Sequence, residues 1–111
     1  MHIRDFQRKI EALYFEKDSG RGLERTFMWF VEEVGELSRE LLHRADSSPP
    51  PSSNEPLSRE FADVLAWLAT LASIVGVDLE SAAAAKYGAG CPKCEQTPCG
   101  CRERPGSGGN S

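Results

Sequence analysis

The segment from Leu57 to Val75, which reads LSREFADVLAWLATLASIV, constrains the fold more than any other part of the chain. It is apolar in almost every direction around a helix axis, which predicts a helix buried on most sides. Glu60 and Asp63 interrupt it at a spacing of three, so both carboxylates project from one face. Burying a carboxylate is costly unless a cation or a hydrogen-bond network compensates it. The chain must therefore supply both covering helices and a partner for these acids.

Three further segments are predicted to be helical. The first runs from Ile3 to about Lys17 and ends at a break formed by residues 18–20 together with Gly22. The second spans about 23–44, and the fourth spans 79–87 after Asp78 as its N-cap. The apolar helix itself is expected to start near Pro56 and to end around Gly76. The second helix carries an apolar stripe that is predicted to face the core: Phe27, Phe30, Val31, Val34, Leu37 and Leu41.

No β-strand alternation and no glycine-rich phosphate loop is present, so the predicted fold class is all-α. Residues 1–88 are predicted to form the helical domain, with a turn-rich flexible linker at 46–56. Residues 89–104 form a cysteine-rich tail, and residues 105–111 are predicted to be disordered. Four short helices bury little surface, so we expect at least a homodimer, with helices completed across subunits.

Charge and hydropathy exclude several classes of function. The chain has 111 residues, is 40% hydrophobic and carries a net charge of −4. Residues 1–85 hold 9 basic and 15 acidic groups, a net −6, which argues against a nucleic-acid polymer as a partner. No apolar run approaches the ~20 residues that span a bilayer, and the N-terminus lacks the apolar stretch of a secretory signal. We therefore expect a soluble, cytoplasmic protein without a membrane partner.

The spacing of the acids carries the predicted chemistry. Glu33 and Glu36 repeat the three-residue spacing of Glu60 and Asp63, so two antiparallel helices would bring two carboxylate pairs together. An oxygen-only cage suits Mg²⁺ or Mn²⁺ better than Zn²⁺. A solvated acidic face is by itself a good explanation of the acids on the second helix, and Glu60 fits as a first-turn acid. Asp63, about two turns into an apolar helix, is harder to explain without a metal.

The acidic residues resemble a family signature. Glu32-Glu33-Val34-Gly35-Glu36, followed after 23 residues by Glu60-Phe61-Ala62-Asp63, is similar to the E-E-x-x-E … E-x-x-D signature of MazG-like all-α nucleoside triphosphate pyrophosphohydrolases. The resemblance covers about residues 3–88. It implies a four-helix bundle that assembles as a dimer or tetramer. It also implies Mg-dependent hydrolysis of a nucleoside triphosphate to a monophosphate and pyrophosphate, a nucleotide house-cleaning reaction.

Carried over by position, the resemblance assigns roles to the acids. Glu33, Glu36, Glu60 and Asp63 would hold Mg²⁺, or Mn²⁺ in its place. Glu32 would lie behind the ligands or act as the base that orients the attacking water, which makes Glu32 and Glu33 the candidate catalytic residues. A single E-x-x-H motif at Glu40 to His43 is too little for a di-iron bundle, which uses two such motifs and two more glutamates.

Three other residues are candidates for substrate binding. Trp29 and Trp67 each lie four residues from a predicted ligand, so either indole could stack on a nucleobase. Core packing is the competing role, more so for Trp67 in its apolar helix. Lys86 is a candidate for a phosphate contact, although a lysine near a helix C-terminus is usually solvated.

The tail holds four cysteines within eleven residues: Cys91, Cys94, Cys99 and Cys101. Four thiolates suit one structural Zn²⁺, and C-x-x-C is a familiar ligand spacing. A redox or disulfide role and disordered free thiols remain open alternatives. A non-catalytic helical module that binds a partner protein through a zinc-stapled tail is the competing function for the whole chain.

Overall fold

The computed structural model describes residues 1–106, which form four helices. They are α1 (Ile3–Arg21), α2 (Leu23–Asp46), α3 (Glu55–Ile74) and α4 (Leu79–Tyr87). The described part of the chain has no strand, which confirms the all-α prediction. The prediction of disorder at 105–111 lies mostly outside the described residues, and residues 105 and 106 form a turn.

A single residue separates α1 from α2. Gly22 adopts φ 90°, a left-handed conformation that a residue with a Cβ rarely takes, and so the chain turns there. The predicted break is therefore correct at Gly22 and wrong at residues 18–20, which are helical. Asp18 continues the helix because its buried carboxylate is bonded to Arg21 and to Thr70 on α3.

α2 and α3 form an antiparallel hairpin. Trp29 near the start of α2 stacks on Trp67 late in α3, while Arg44 at the end of α2 donates to the carbonyl oxygen of Ser53 at 3.1 Å. The connection spans residues 47–54. It is shorter than the predicted linker 46–56 because Asp46 and residues 55–56 are helical, with Pro56 in the first turn, where its missing N–H costs nothing.

α1 packs against α3 on one side of this hairpin. The buried Gln7 donates to the carbonyl oxygen of Val77 at 2.8 Å and accepts from the Leu79 N–H at 2.9 Å, which fixes the turn between α3 and α4. Asp78 caps α4 by accepting from the Ser81 N–H at 2.9 Å, as predicted. The pKa of Asp78 is lowered mainly by its hydrogen bond with Arg4, so the cap also joins α4 to α1.

The apolar stripe of α2 is turned mostly outward, so the prediction that it faces the core is wrong for the single chain. Phe27 is 54% exposed and Val31 is 50% exposed. The fully buried Thr26 and the half-buried Glu33 belong to the side that meets α3. Periodicity shows that a stripe is apolar, but it does not show which neighbour covers it. Of the other stripe residues, Val34 and Leu41 are exposed, and Phe30 and Leu37 are half-buried.

α3 also keeps an uncovered row, formed by Phe61, Leu65 and Leu68, although its sequence predicts burial on most sides. By helical periodicity this row lies on the same side of the antiparallel pair as the exposed residues of α2, opposite α1. We call the combined surface the open face: Phe27, Val31, Val34, Leu41, Phe61, Leu65 and Leu68. The Cα radius of gyration is 16.7 Å, whereas a compact domain of this length has about 13 Å, so the single chain leaves its core incomplete.

Within residues 1–106, no single helix has both the length and the apolar character needed to cross a membrane. α3 and α4 meet those criteria only as a pair, with a bend of 96° between them.

Candidate metal centre

Three acids from two helices converge at the centre of the α2–α3 hairpin. Glu33 comes from the middle of α2, and Glu60 and Asp63 come from the first turns of α3. One carboxylate oxygen from each lies within 4.8 Å of the other two. Oε2 of Glu60 is buried and has no hydrogen-bond partner among the described residues. A buried, unpartnered carboxylate oxygen on an acid that converges with two further carboxylates is the arrangement that a divalent cation would satisfy.

The electrostatics of these acids reflect their crowding. The pKa of Glu33 is raised, first by burial and then by the negative charges of Asp63 and Glu60. Burial and the charge of Asp63 likewise raise the pKa of Glu60. No cation among the described residues forms an ion pair with any of the three. The cluster is therefore under-compensated as it stands, and a bound cation would relieve it.

The remaining predicted acids lie around this cluster. Glu36 is half-buried and pairs with Arg39 one turn along α2, although its charge still raises the pKa of both Glu33 and Glu60. Glu32 is exposed. Of the neighbouring charges that raise the pKa of Glu33, that of Glu32 has the smallest effect. The structure thus brings three of the four predicted ligands together and leaves Glu36 beside them in an ion pair.

A cavity of about 570 Å³ opens next to the acids, between α1 and α3. Asp63 belongs to the acidic cluster and also lines this cavity. Tyr14 and Trp67 provide aromatic walls, and Lys17 and Arg21 provide positive charge. A polyanion in the cavity would therefore meet cations on one wall and a cation bound by the acids on the other.

Arg21 is held in place by a buried acid. Its Nη1 lies 2.9 Å from Oδ1 of Asp18, and its guanidinium carbon lies 5.0 Å from the ring centroid of Trp67. Oδ2 of Asp18 accepts a hydrogen bond from the Thr70 hydroxyl at 3.1 Å, which ties the pair to α3. The other guanidinium nitrogens donate no hydrogen bond within residues 1–106, so they are available to a ligand in the cavity.

The family model for the MazG nucleotide pyrophosphohydrolase domain matches residues 21–94, about two thirds of the chain. The chain belongs to the MazG family. The matched region contains the three converging acids, whereas Lys17 and Asp18 lie before it. No curated protein matches the chain.

The MazG region also contains the two tryptophans. Their ring centroids lie 6.3 Å apart with an interplanar angle of 16°, so Trp29 and Trp67 stack across α2 and α3. Trp29 is 47% exposed, while Trp67 is half-buried and lines the cavity. Each indole thus packs against the other, and Trp67 also presents a surface to the cavity.

Lys86 lies elsewhere in this MazG domain. It is exposed on α4, where its Nζ sits 5.7 Å from the ring centroid of Tyr87, and it does not line the cavity. The cations that line the cavity are instead Lys17 and Arg21, which were not predicted from the sequence. The sequence contains a signal for them, because Tyr14, Lys17 and Arg21 continue the helical spacing of the first helix through its predicted break.

The four cysteines form a second cluster, and its first two members fall within the MazG match. Their four Sγ atoms all lie within 4.8 Å of one another. All four cysteines are free thiols. The acidic and the thiol clusters share no residue, so they are two separate candidate metal sites.

Proposed function

We propose that this chain hydrolyses a nucleoside triphosphate to a nucleoside monophosphate and pyrophosphate in a Mg-dependent reaction. The observation that carries the proposal is the convergence of Glu33, Glu60 and Asp63, with Oε2 of Glu60 unpartnered among the described residues. The cluster lies at the edge of a cavity that is also lined by two cationic side chains, Lys17 and Arg21. Membership of the MazG family supports the reaction class.

The acids would hold the metal. Glu33, Glu60 and Asp63 would be the ligands, and Glu36 would join them by leaving Arg39. When bound, Mg²⁺ would neutralise the polyphosphate and favour attack on phosphorus. Hard carboxylate oxygens match Mg²⁺ or Mn²⁺, and none of the three acids brings the nitrogen or sulfur that Zn²⁺ prefers.

The cations would hold the polyphosphate. Within residues 1–106, Nε and Nη2 of Arg21 donate no hydrogen bond, and Asp18 fixes the side chain, so its planar guanidinium can bind phosphate oxygens through two hydrogen bonds. Lys17, one turn earlier on the same wall, adds a second positive charge. These residues contribute by orienting the substrate and stabilising charge, the main sources of catalysis in phosphoryl transfer.

The tryptophans would hold the nucleobase of the substrate. Trp67 offers an aromatic surface beside the cavity, and Trp29 supports it by stacking.

In the proposed hydrolysis, water adds to the α-phosphorus, the bond from this phosphorus to the bridging oxygen breaks, and pyrophosphate leaves. The proton released by the water passes to the exposed carboxylate of Glu32, or to Glu33 beside it.

The functional unit would be a homodimer or a homotetramer. The open face exposes apolar side chains on both α2 and α3, on the side away from α1 and the cavity. A second copy covering this face would bury those side chains without closing the cavity. The protein would act in the cytoplasm on free nucleotides.

A panel of nucleoside triphosphates with Mg²⁺, assayed separately for pyrophosphate and orthophosphate, tests the reaction. Pyrophosphate and monophosphate in equal amounts, without orthophosphate, are expected. Glu33→Gln should lower the rate by about 10²-fold or more, because the charge that holds the cation is lost. Glu24→Gln changes an exposed glutamate on the same helix and serves as the matched control.

The non-catalytic alternative makes different predictions. A helical interaction module would release no pyrophosphate from any triphosphate, would tolerate Asp63→Asn, and would show no increase in melting temperature with Mg²⁺. Orthophosphate as the only product, or full activity of Glu33→Gln, would also contradict the proposed reaction.

A further inference from the structure

We propose that Cys91, Cys94, Cys99 and Cys101 bind one structural Zn²⁺ that folds the segment after α4. The separations between the sulfur atoms carry this inference. Sγ of Cys91 lies 3.5 Å from Sγ of Cys99 and 3.9 Å from Sγ of Cys101, and the sulfurs of Cys94 and Cys99 are 3.9 Å apart. The inference is independent of the proposed hydrolysis.

These separations fit a single tetrahedral ion. With Zn–S bonds of about 2.3 Å, the edges of a tetrahedral sulfur cage measure about 3.8 Å. All four sulfurs lie within 4.8 Å of one another, which is too tight to enclose the several irons of an iron–sulfur cluster. Four thiolates also leave no position for water or substrate, which is the pattern of a structural rather than a catalytic zinc site.

The backbone around the cysteines supports charged sulfur ligands. The Gly100 N–H donates to Sγ of Cys94 at 3.3 Å, and the Cys101 N–H donates to Sγ of Cys99 at 3.3 Å. Such N–H donors offset the negative charge that four thiolates bring to a metal. The donors come from the second cysteine pair and its intervening glycine, so the C-x-C half supplies both ligands and their supporting hydrogen bonds.

The first pair lies on a closed turn. The Glu95 N–H donates to the carbonyl oxygen of Cys91 at 2.7 Å, and the Cys91 N–H donates to that of Gln96 at 3.1 Å. Glu95 adopts φ 58°, which places a residue with a Cβ in the left-handed region. This conformation persists only where the surroundings enforce it. A metal that bridges Cys94 to the other three sulfurs would enforce it.

The segment after α4 buries little apolar surface of its own. Residues 88–105 contain no helix and no fully buried side chain. A segment that cannot bury apolar surface needs a cross-link or a metal to offset the entropy lost on ordering. The thiols are not joined as disulfides. A metal is therefore the stabilising element that the cysteine geometry provides.

The test is the zinc content of the full chain purified without chelator, measured by mass spectrometry. We expect about one zinc per chain, and loss of that zinc in a Cys94→Ser/Cys101→Ser variant that keeps the helical circular dichroism of the wild type. Replacement with Co²⁺ should give the thiolate-to-cobalt charge-transfer bands and ligand-field bands of a tetrahedral sulfur site. The matched control, Glu33→Gln, changes an acid of the other cluster and should keep its zinc.

A wild-type chain that contains no zinc and gives no tetrahedral cobalt spectrum would overturn the inference. Iron in place of zinc would overturn the identity of the metal, and intact-mass detection of two disulfides in the purified chain would overturn the site. Zinc that persists in the double serine variant would place the metal elsewhere. None of these outcomes depends on whether the chain hydrolyses nucleotides.

Discussion

The Asp18 carboxylate on α1 accepts a hydrogen bond from the Thr70 hydroxyl on α3 at 3.1 Å, in a region closed to solvent. Asp18 is only 5% exposed and Thr70 only 6%. The other oxygen of Asp18 holds Arg21 at 2.9 Å, so one buried acid joins two helices and positions the cation that faces the cavity. The contact therefore links the packing of α1 to the geometry of the candidate site.

Replacing this acid should affect both stability and substrate binding. Asp18→Asn keeps the size of the side chain but removes the charge that holds Arg21, so we expect the free energy of unfolding to fall by about 1–3 kcal/mol. We also expect a higher KM for the triphosphate, since Arg21 loses its fixed position. Urea denaturation and steady-state kinetics measure the two effects. Asp46→Asn, an exposed acid at the end of α2, is the control, and an equal effect in both variants would contradict the assignment.

The crowding of the acids predicts that the stability of the folded chain depends on pH. Because the pKa of Glu60 is raised in the folded chain, its folded form holds a proton more tightly than its unfolded form does. Stability is therefore lost as the pH rises from about 4.3, the ordinary value for glutamic acid, through the raised pKa of Glu60. Without divalent metal, Glu60→Gln should melt at a higher temperature than wild type at pH 7.

The same comparison at low pH provides the check. Below the ordinary pKa of a glutamic acid both states are protonated, so the difference in melting temperature between wild type and Glu60→Gln should disappear. Mg²⁺ at pH 7 should raise the melting temperature of the wild type more than that of the variant. A variant that is less stable than wild type at pH 7 without metal would show that Glu60 is compensated within the chain.

The two tryptophans allow a direct optical test, because the chain has only two. A non-hydrolysable triphosphate added with Mg²⁺ should change the intrinsic fluorescence if a base stacks on Trp67. Trp29→Ala should cost about 0.5–1.5 kcal/mol of stability from the lost ring pair and should raise KM about fivefold or more. Met28→Ala alters the exposed neighbour and should change neither. Unchanged fluorescence at saturating nucleotide would contradict base stacking.

The open face predicts the state of assembly. Val31→Glu combined with Leu65→Glu puts two charges into the apolar surface of α2 and α3, and should convert a dimer or tetramer into smaller species. Analytical ultracentrifugation measures the change. Ala12→Glu, on the exposed side of α1, should leave the assembly intact. A wild-type chain that sediments as a monomer at all concentrations would contradict a covered open face.

The sequence predicted local features well because they depend on neighbouring residues. The Asp78 cap follows from an acid placed before a helical segment, and the three-residue spacing of Glu60 and Asp63 fixes their common face. The all-α class follows from the period of the apolar residues. None of these inferences requires knowledge of contacts between residues that are distant in the sequence.

Features that depend on distant partners could not be predicted in the same way. Phe27 and Val31 are apolar and periodic, yet they lie exposed because α2 presents Thr26 and Glu33 to α3. The position of Arg21 on α1 could not be predicted, because Asp18, Ser19 and Gly20 are residue types that are typical of a loop. The hydrogen bond from Thr70 that keeps Asp18 in a helix comes from a residue 52 positions away.

Binding of Mn²⁺, followed by electron paramagnetic resonance, tests most directly whether Glu33, Glu60 and Asp63 form a metal centre. The hard Mn²⁺ ion reports on the carboxylates rather than on the thiolates of the tail. We predict that the wild-type chain and the Asp46→Asn control bind Mn²⁺ equally, that Mg²⁺ displaces it, and that Asp63→Asn weakens binding by about 10-fold or more. Equal Mn²⁺ affinity in Asp63→Asn and wild type, or no binding to the wild type, would contradict the account.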